Sequence, residues 1–272
     1  MGRLFGRKQK NTKRESASKM IGRSLSFAAT EAYKLLRANL MFALPDERRC
    51  RVIGITSSES GEGKSITALN LSYMLAEDGN KVMLVEADMR LPGIHKRLSI
   101  NQSPGLSNLL AGLCNGNVIV QKTSLHDRIR VVACGDVPPN PSELLGSEQM
   151  KITIDVFSQS FDFVVLDLPP VNEVSDALVA SRLTDGILMV VRQNQTTRHD
   201  LETAMRRLKY GEAKLLGFVM TCAESGNKAY KKYSYYGYGE EKPAETAADT
   251  DRTAEGKPAG DALSAKGKGT NG

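Results

Sequence analysis

Tryptophan is missing from this chain, and histidine (three residues) and cysteine (four) are close to missing. Cys50, Cys114, Cys134 and Cys222 are far apart, form no Cys-x-x-Cys pair and have no nearby histidine set. That excludes a zinc ribbon or a disulfide framework and fits a reducing cytosol. Long apolar runs are also lacking. The most apolar early stretch, "SLSFAATEAYKLLRANLMFAL", is interrupted by Glu31, Lys34 and Arg37, so it falls short of the roughly 18 apolar residues a bilayer span requires. No secretory signal peptide is expected. "MGRLFG" has Gly2 but no Ser or Thr at position 6, which makes it a poor myristoylation site and leaves membrane association to a partner.

Acidic balance is lacking in one place only. The first 23 residues set eight basic side chains against Glu15 alone, a net +7 that leaves −1 for the rest of a chain whose total is +6. The basicity therefore belongs to an arm, read first as a solvated tail and otherwise as a contact for acidic lipid headgroups, a partner or nucleic acid. Without base-stacking aromatics interleaved among its cations, the chain is not read as a nucleic-acid-binding protein.

What is present is one sizeable core, with 40% hydrophobic and 25% charged residues among 272. Apolar runs at "RVIGIT", "KVMLVEA", "IRVVAC", "FDFVVLDL", "GILMVVR" and "KLLGFVM" are mostly continuous rather than alternating, as strands buried on both faces are. Helix-length segments lie between them at 64–79, 142–159 and 197–211, and another precedes them, spaced by Phe27, Leu35, Leu36, Leu40 and Phe42. Alternating strands and helices predict an α/β fold, a mostly parallel sheet with helices on both faces, and the glycine-rich "SSESGEGKS" between the first strand and the helix after it makes this a P-loop NTPase. The expected organisation is a basic flexible arm at 1–23, one folded domain at 24–229, and a tyrosine cluster with a tail too poor in apolar residues to fold at 230–272. In that cluster, "YKKYSYYGYGEE", Tyr230, Tyr233, Tyr235, Tyr236 and Tyr238 account for five of the eight tyrosines in the chain. Lys231, Lys232, Gly237 and Gly239 among them argue against a buried strand, so the segment is expected to be exposed.

"RVIGIT" runs into "SSESGEGKS" and then a helix, the context a phosphate-binding loop requires. Ser60, Gly61, Glu62, Gly63, Lys64, Ser65 and Ile66 are the expected nucleotide contacts. Gly61 and Gly63 let backbone N–H groups close around phosphates at the positive end of the helix. Lys64 is suited to the β- and γ-phosphates and the Ser65 hydroxyl to Mg²⁺. Ser58 stands where the common pattern has its first glycine. In "VMLVEADMRLP" the two-residue period puts Glu86 and Asp88 on one side of the chain, facing the phosphate loop at the carboxyl ends of the strands. Asp167 ends "FVVLD" and is placed to hold Mg²⁺ through water.

These motifs, with "GDVPPNPSELL" (135–145), "EAYKLLR" (31–37) and the tyrosine cluster, resemble the bacterial protein-tyrosine kinases (BY-kinases) of capsular and exopolysaccharide synthesis over residues 24–238. The resemblance implies ATP and Mg²⁺ as cofactors, Lys64, Glu86, Asp88 and Asp167 as catalytic residues, and Ser65, Asp88 and Asp167 as metal ligands. It implies that the cluster is autophosphorylated by a neighbouring copy. It implies a ring built through Glu31, Lys34 and Arg37, a transmembrane polysaccharide co-polymerase as activating adaptor, further protein substrates, an opposing phosphotyrosine phosphatase, and a cytoplasmic location at the inner face of the membrane. Two positions depart from the family pattern: Glu86 replaces an aspartate near the incoming tyrosine, and Lys34 replaces an arginine. The first leaves open a nucleotide-binding regulator with weak or no kinase activity. A cell-division or partitioning ATPase is the other alternative, opposed by Glu59 where such proteins carry a lysine.

Overall fold

The computed structural model describes residues 21–44 and 50–223. Strands β1 (Arg51–Ser57), β2 (Val82–Glu86), β3 (Val120–Lys122), β4 (Ile129–Val132), β5 (Phe163–Asp167), β6 (Gly186–Arg192) and β7 (Leu215–Thr221) form one sheet in the order β3-β4-β2-β5-β1-β6-β7. Among the pairings only β3–β4 is antiparallel. The helices in chain order are α1 (Phe27–Ala43), α2 (Lys64–Glu77), α3 (Ile94–Leu98), α4 (Leu106–Leu110), α5 (Gly116–Ile119), α6 (Pro141–Leu145), α7 (Glu148–Ser160), α8 (Asp176–Ser181) and α9 (Arg198–Tyr210). The expected α/β fold, a mostly parallel sheet with helices on both faces, is therefore observed.

Continuous apolar strands give a core on each side. Val85, Leu166, Met189, Phe157 and Leu208 pack on one face, and Ile53, Leu69, Leu75, Leu84 and Val165 on the other. Helix α2 is buried on every side from Thr67 to Ala76, the polar Thr67, Asn70 and Ser72 included. In the register, Ile55 of β1 and Glu86 of β2 both lie beside Asp167 of β5. The carboxyl ends of three neighbouring strands therefore finish at one level, where the phosphate loop also begins.

Three expectations are corrected. The helix expected at 142–159 is two helices, because Gly146 ends α6 and the Ser147 hydroxyl caps α7 by accepting from Met150 N at 3.2 Å. The edge strand β3 was not foreseen: "VQK" is short and only half-buried, so it has no strand signature of its own. The arm does not run free to residue 23, since the turn Gly22–Ser24 is seated on α2, with Gly22 N donating to Asn70 Oδ1 at 3.0 Å. No helix among the described residues is long and apolar enough to cross a membrane.

Candidate active site

The loop between β1 and α2 is tied at nearly every residue. Gly61 and Gly63 adopt φ of 83° and 102°, left-handed values that glycine takes without strain. The serine that replaces glycine at position 58 uses its hydroxyl, since Ser58 Oγ donates to both carboxylate oxygens of buried Glu62, at 3.1 and 3.0 Å. Glu62 also accepts from Glu59 N at 3.2 Å and from the Thr196 hydroxyl. Its carboxylate thus braces the loop from behind. Thr221, at the end of β7, donates to Glu62 O at 2.6 Å, and Arg192 Nη1 donates to Gly61 O at 2.9 Å. Glu173 reaches over from the segment after β5 and accepts from Ser60 N at 2.7 Å. The first N–H groups of α2 have no acceptor within the helix, so the loop delivers donors and a positive dipole to one spot.

Lys64 opens α2 and is buried, its Nζ 2.5 Å from Asp88 Oδ2. Burial works against its ammonium, but the carboxylates of Asp167 and Asp88 outweigh burial and raise the lysine above its ordinary range. Asp88 Oδ1 accepts from the N–H groups of Arg90 and Leu91 at 3.3 and 3.0 Å, which fixes the carboxylate. Asp167 is buried, and its Oδ1 has no hydrogen-bond partner. Burial lifts its pKa to about 6, against the lowering effects of Lys64 and of a hydrogen bond from Ser65. A buried carboxylate oxygen left without a donor, beside a serine hydroxyl and a second aspartate, is a hard oxygen set of the kind Mg²⁺ takes. Among the described residues no cluster of three or more His, Cys, Asp or Glu holds a metal unaided, which suits an ion that takes most of its ligands from phosphate and water.

Glu86 is not where the two-residue period put it. Its Oε1 accepts from the N–H groups of Gly93 and Ile94, and its Oε2 from Cys134 N at 3.1 Å. His95 Nδ1 lies 3.4 Å from Oε2 but outside hydrogen-bonding geometry. Strand β2 ends at Glu86, and beyond it the two acids diverge: Asp88 turns to Lys64, Glu86 to the start of α3. The nearby Cys134 thiol is pushed up to about 12, first by burial and then by the negative charge of Glu86.

A further cluster escaped sequence reasoning. Asp176, fully buried at the start of α8, accepts two bonds from Arg90, at Nε (2.9 Å) and Nη2 (3.0 Å), and one from the Ser142 hydroxyl. It joins the segment carrying Asp88 to the "PSELL" helix. Nothing local in "VSDALV" announces it.

On α1, Lys34 Nζ pairs with Glu31 at 2.8 Å in solvent, while Arg37 donates to Met74 O and pairs with Asp78 at the end of α2. The three are on one stripe, but Arg37 is held by its own chain. Tyr230, Tyr233, Tyr235, Tyr236 and Tyr238 lie outside the described residues.

A braced glycine loop after β1, a lysine at the first position of α2 and two aspartates at adjacent strand ends define a P-loop nucleotide-binding protein. Residues 50–210 match the AAA domain family. The tyrosine-protein kinase YwqD of Bacillus subtilis is 34% identical over 209 residues, 77% of this chain and 85% of that protein. Among solved structures, the chimerical protein CapA2B2 superposes with a TM-score of 0.70 at 33% identity, over 75% of this chain and 89% of the other. The kinase domain of the Escherichia coli tyrosine kinase ETK gives 0.68 at 30%, over 73% and 79%. The chain belongs to the AAA domain family and to the bacterial tyrosine-protein kinases.

Proposed function

We propose that this kinase transfers the γ-phosphoryl group of ATP, with Mg²⁺, to Tyr230, Tyr233, Tyr235, Tyr236 and Tyr238 of a neighbouring copy and thereby regulates capsular or exopolysaccharide synthesis. The observation that carries this reading is the convergence of Lys64, Ser65, Asp88 and Asp167, with one Asp167 oxygen left unpartnered inside the protein.

The backbone of Ser60 to Ile66 holds the phosphates, and Lys64 exchanges its Asp88 partner for the transferring group. Ser65, Asp88 and Asp167 hold Mg²⁺, which when bound neutralises charge on the phosphate oxygens. Asp167 stays ionised above about pH 6, so the site is ready at neutral pH. Phosphoryl transfer of this kind relies on positioning and charge rather than covalent help from the protein. Glu86, where the family pattern has its candidate base, has its carboxylate taken up by the N–H groups of Gly93, Ile94 and Cys134, which favours a role in supporting the site from behind by capping α3.

A ring through Glu31, Lys34 and Arg37 would present each tail to the next subunit; the exposed Glu31–Lys34 pair is available for it, and Arg37 must leave Asp78 and Met74 to join. A transmembrane co-polymerase as activator, further protein substrates, an opposing phosphatase and a position at the inner membrane face complete the reading.

The test is incubation of the full chain with ATP and Mg²⁺, followed by mass spectrometry of the tail, with Lys64→Ala as control. Phosphate on the cluster that falls by roughly 10²- to 10³-fold in the control is the expected result. Nucleotide bound with every tyrosine unmodified would favour a nucleotide-gated regulator.

A further inference from the structure

The tyrosines outside the tail differ sharply in their surroundings. Tyr73 is buried, Tyr33 is half-buried, and Tyr210 is 89% exposed. An exposed tyrosine at a helix end is ordinary by itself. Tyr210, however, sits in the sequence Tyr210-Gly211-Glu212-Ala213-Lys214, and the tail carries Tyr238-Gly239-Glu240-Glu241-Lys242. The two stretches share four of five residues in the same order. A glycine directly after the tyrosine lets a kinase approach the backbone closely, and the acid and the base that follow present the same charges at the same spacing.

We infer that Tyr210 is a second phosphoacceptor of this kinase, modified by another copy of the chain. The inference rests on the autokinase reading above. Tyr210 ends α9, so its ring projects from the terminus of the helix rather than from a packed face. The phosphate would meet the negative end of the helix dipole, which Lys209 in the last turn offsets. Its own active site is out of reach. Helix α9 starts beside the phosphate loop, where Thr196 touches Glu62 and Gln195 touches Ser60. It runs 13 residues away from it, about 20 Å, to the opposite end of the sheet. The reaction is the same phosphoryl transfer on a new acceptor: the Tyr210 oxygen bonds to the γ-phosphorus, the bond from that phosphorus to the β–γ bridging oxygen breaks, ADP departs with the electron pair, and the phenolic proton passes to water.

The experiment mixes active full-length kinase with an isotope-labelled full-length Lys64→Ala copy, ATP and Mg²⁺, and maps phosphopeptides of both. Phosphate on the labelled peptide containing Tyr210, absent when the labelled copy is incubated alone and lost with Tyr210→Phe in that copy, is the expected result. Phosphate on the tail tyrosines with an unmodified Tyr210 peptide overturns the inference and leaves the autokinase reading standing. Phosphate on no tyrosine of either copy overturns both.

Discussion

Two carboxylates at adjacent strand ends, Glu86 on β2 and Asp167 on β5, are register partners and equally buried, yet their surroundings are opposite. Glu86 accepts from three backbone N–H groups. Asp167 has one oxygen with no partner and a pKa lifted to about 6. A carboxylate whose lone pairs are filled by its own backbone holds the chain in place, whereas one left unfilled at a phosphate loop is kept for something that arrives later. The contrast runs through a single motif, "VEADMR", because Asp88, two residues from Glu86, pairs with Lys64 of the phosphate loop instead of with backbone N–H groups alone.

The contrast is broken most severely by removing the filled carboxylate. Glu86→Ala strands two buried donors and a half-buried one, and leaving such groups unsatisfied should lower stability by about 2–4 kcal/mol, read as a drop in the denaturant midpoint. The corresponding change on the other side should act in the opposite direction. Asp167 has its folded pKa raised from 3.8 to about 6. Its contribution is therefore most favourable below the unfolded value and is lost as pH rises through the folded one. Asp167→Asn escapes that loss, so the variant should abolish phosphorylation yet be more stable than the parent by up to about 3 kcal/mol near pH 7, with the gain vanishing toward about pH 4. Thermal unfolding at the two pH values checks it. The same titration predicts that Mg²⁺-dependent nucleotide affinity weakens as pH falls through about 6, measurable by calorimetry. The smallest effect belongs to the brace of the loop: Ser58→Ala removes one donor to Glu62 while Thr196 and Glu59 N remain, and should cost about 1 kcal/mol with little change in nucleotide affinity.

The phosphate loop was legible in sequence because its chemistry is local: closely spaced glycines, lysine and serine between a strand and a helix. The sheet was legible because buried parallel strands read as unbroken apolar runs. Glu86 was placed wrongly because periodicity assigns a side of a strand and says nothing once the strand stops, and its partners Gly93, Ile94 and Cys134 lie 7, 8 and 48 residues on. Asp176 was missed for the same reason, as Arg90 is 86 positions away. Ser58 looked like a defect in the glycine pattern until Glu62 was seen to use its hydroxyl.

The most direct measurement is on Glu86→Asp, which restores the aspartate of the family pattern: the rate of tail phosphorylation beside the denaturant midpoint of the same sample. A carboxylate shortened by one methylene cannot reach its donors at Gly93, Ile94 and Cys134 equally well, so a lower midpoint and no gain in rate are expected. An unchanged midpoint with a large gain in phosphorylation would contradict this assignment, and would make Glu86 a weakened catalytic base rather than the support behind the site.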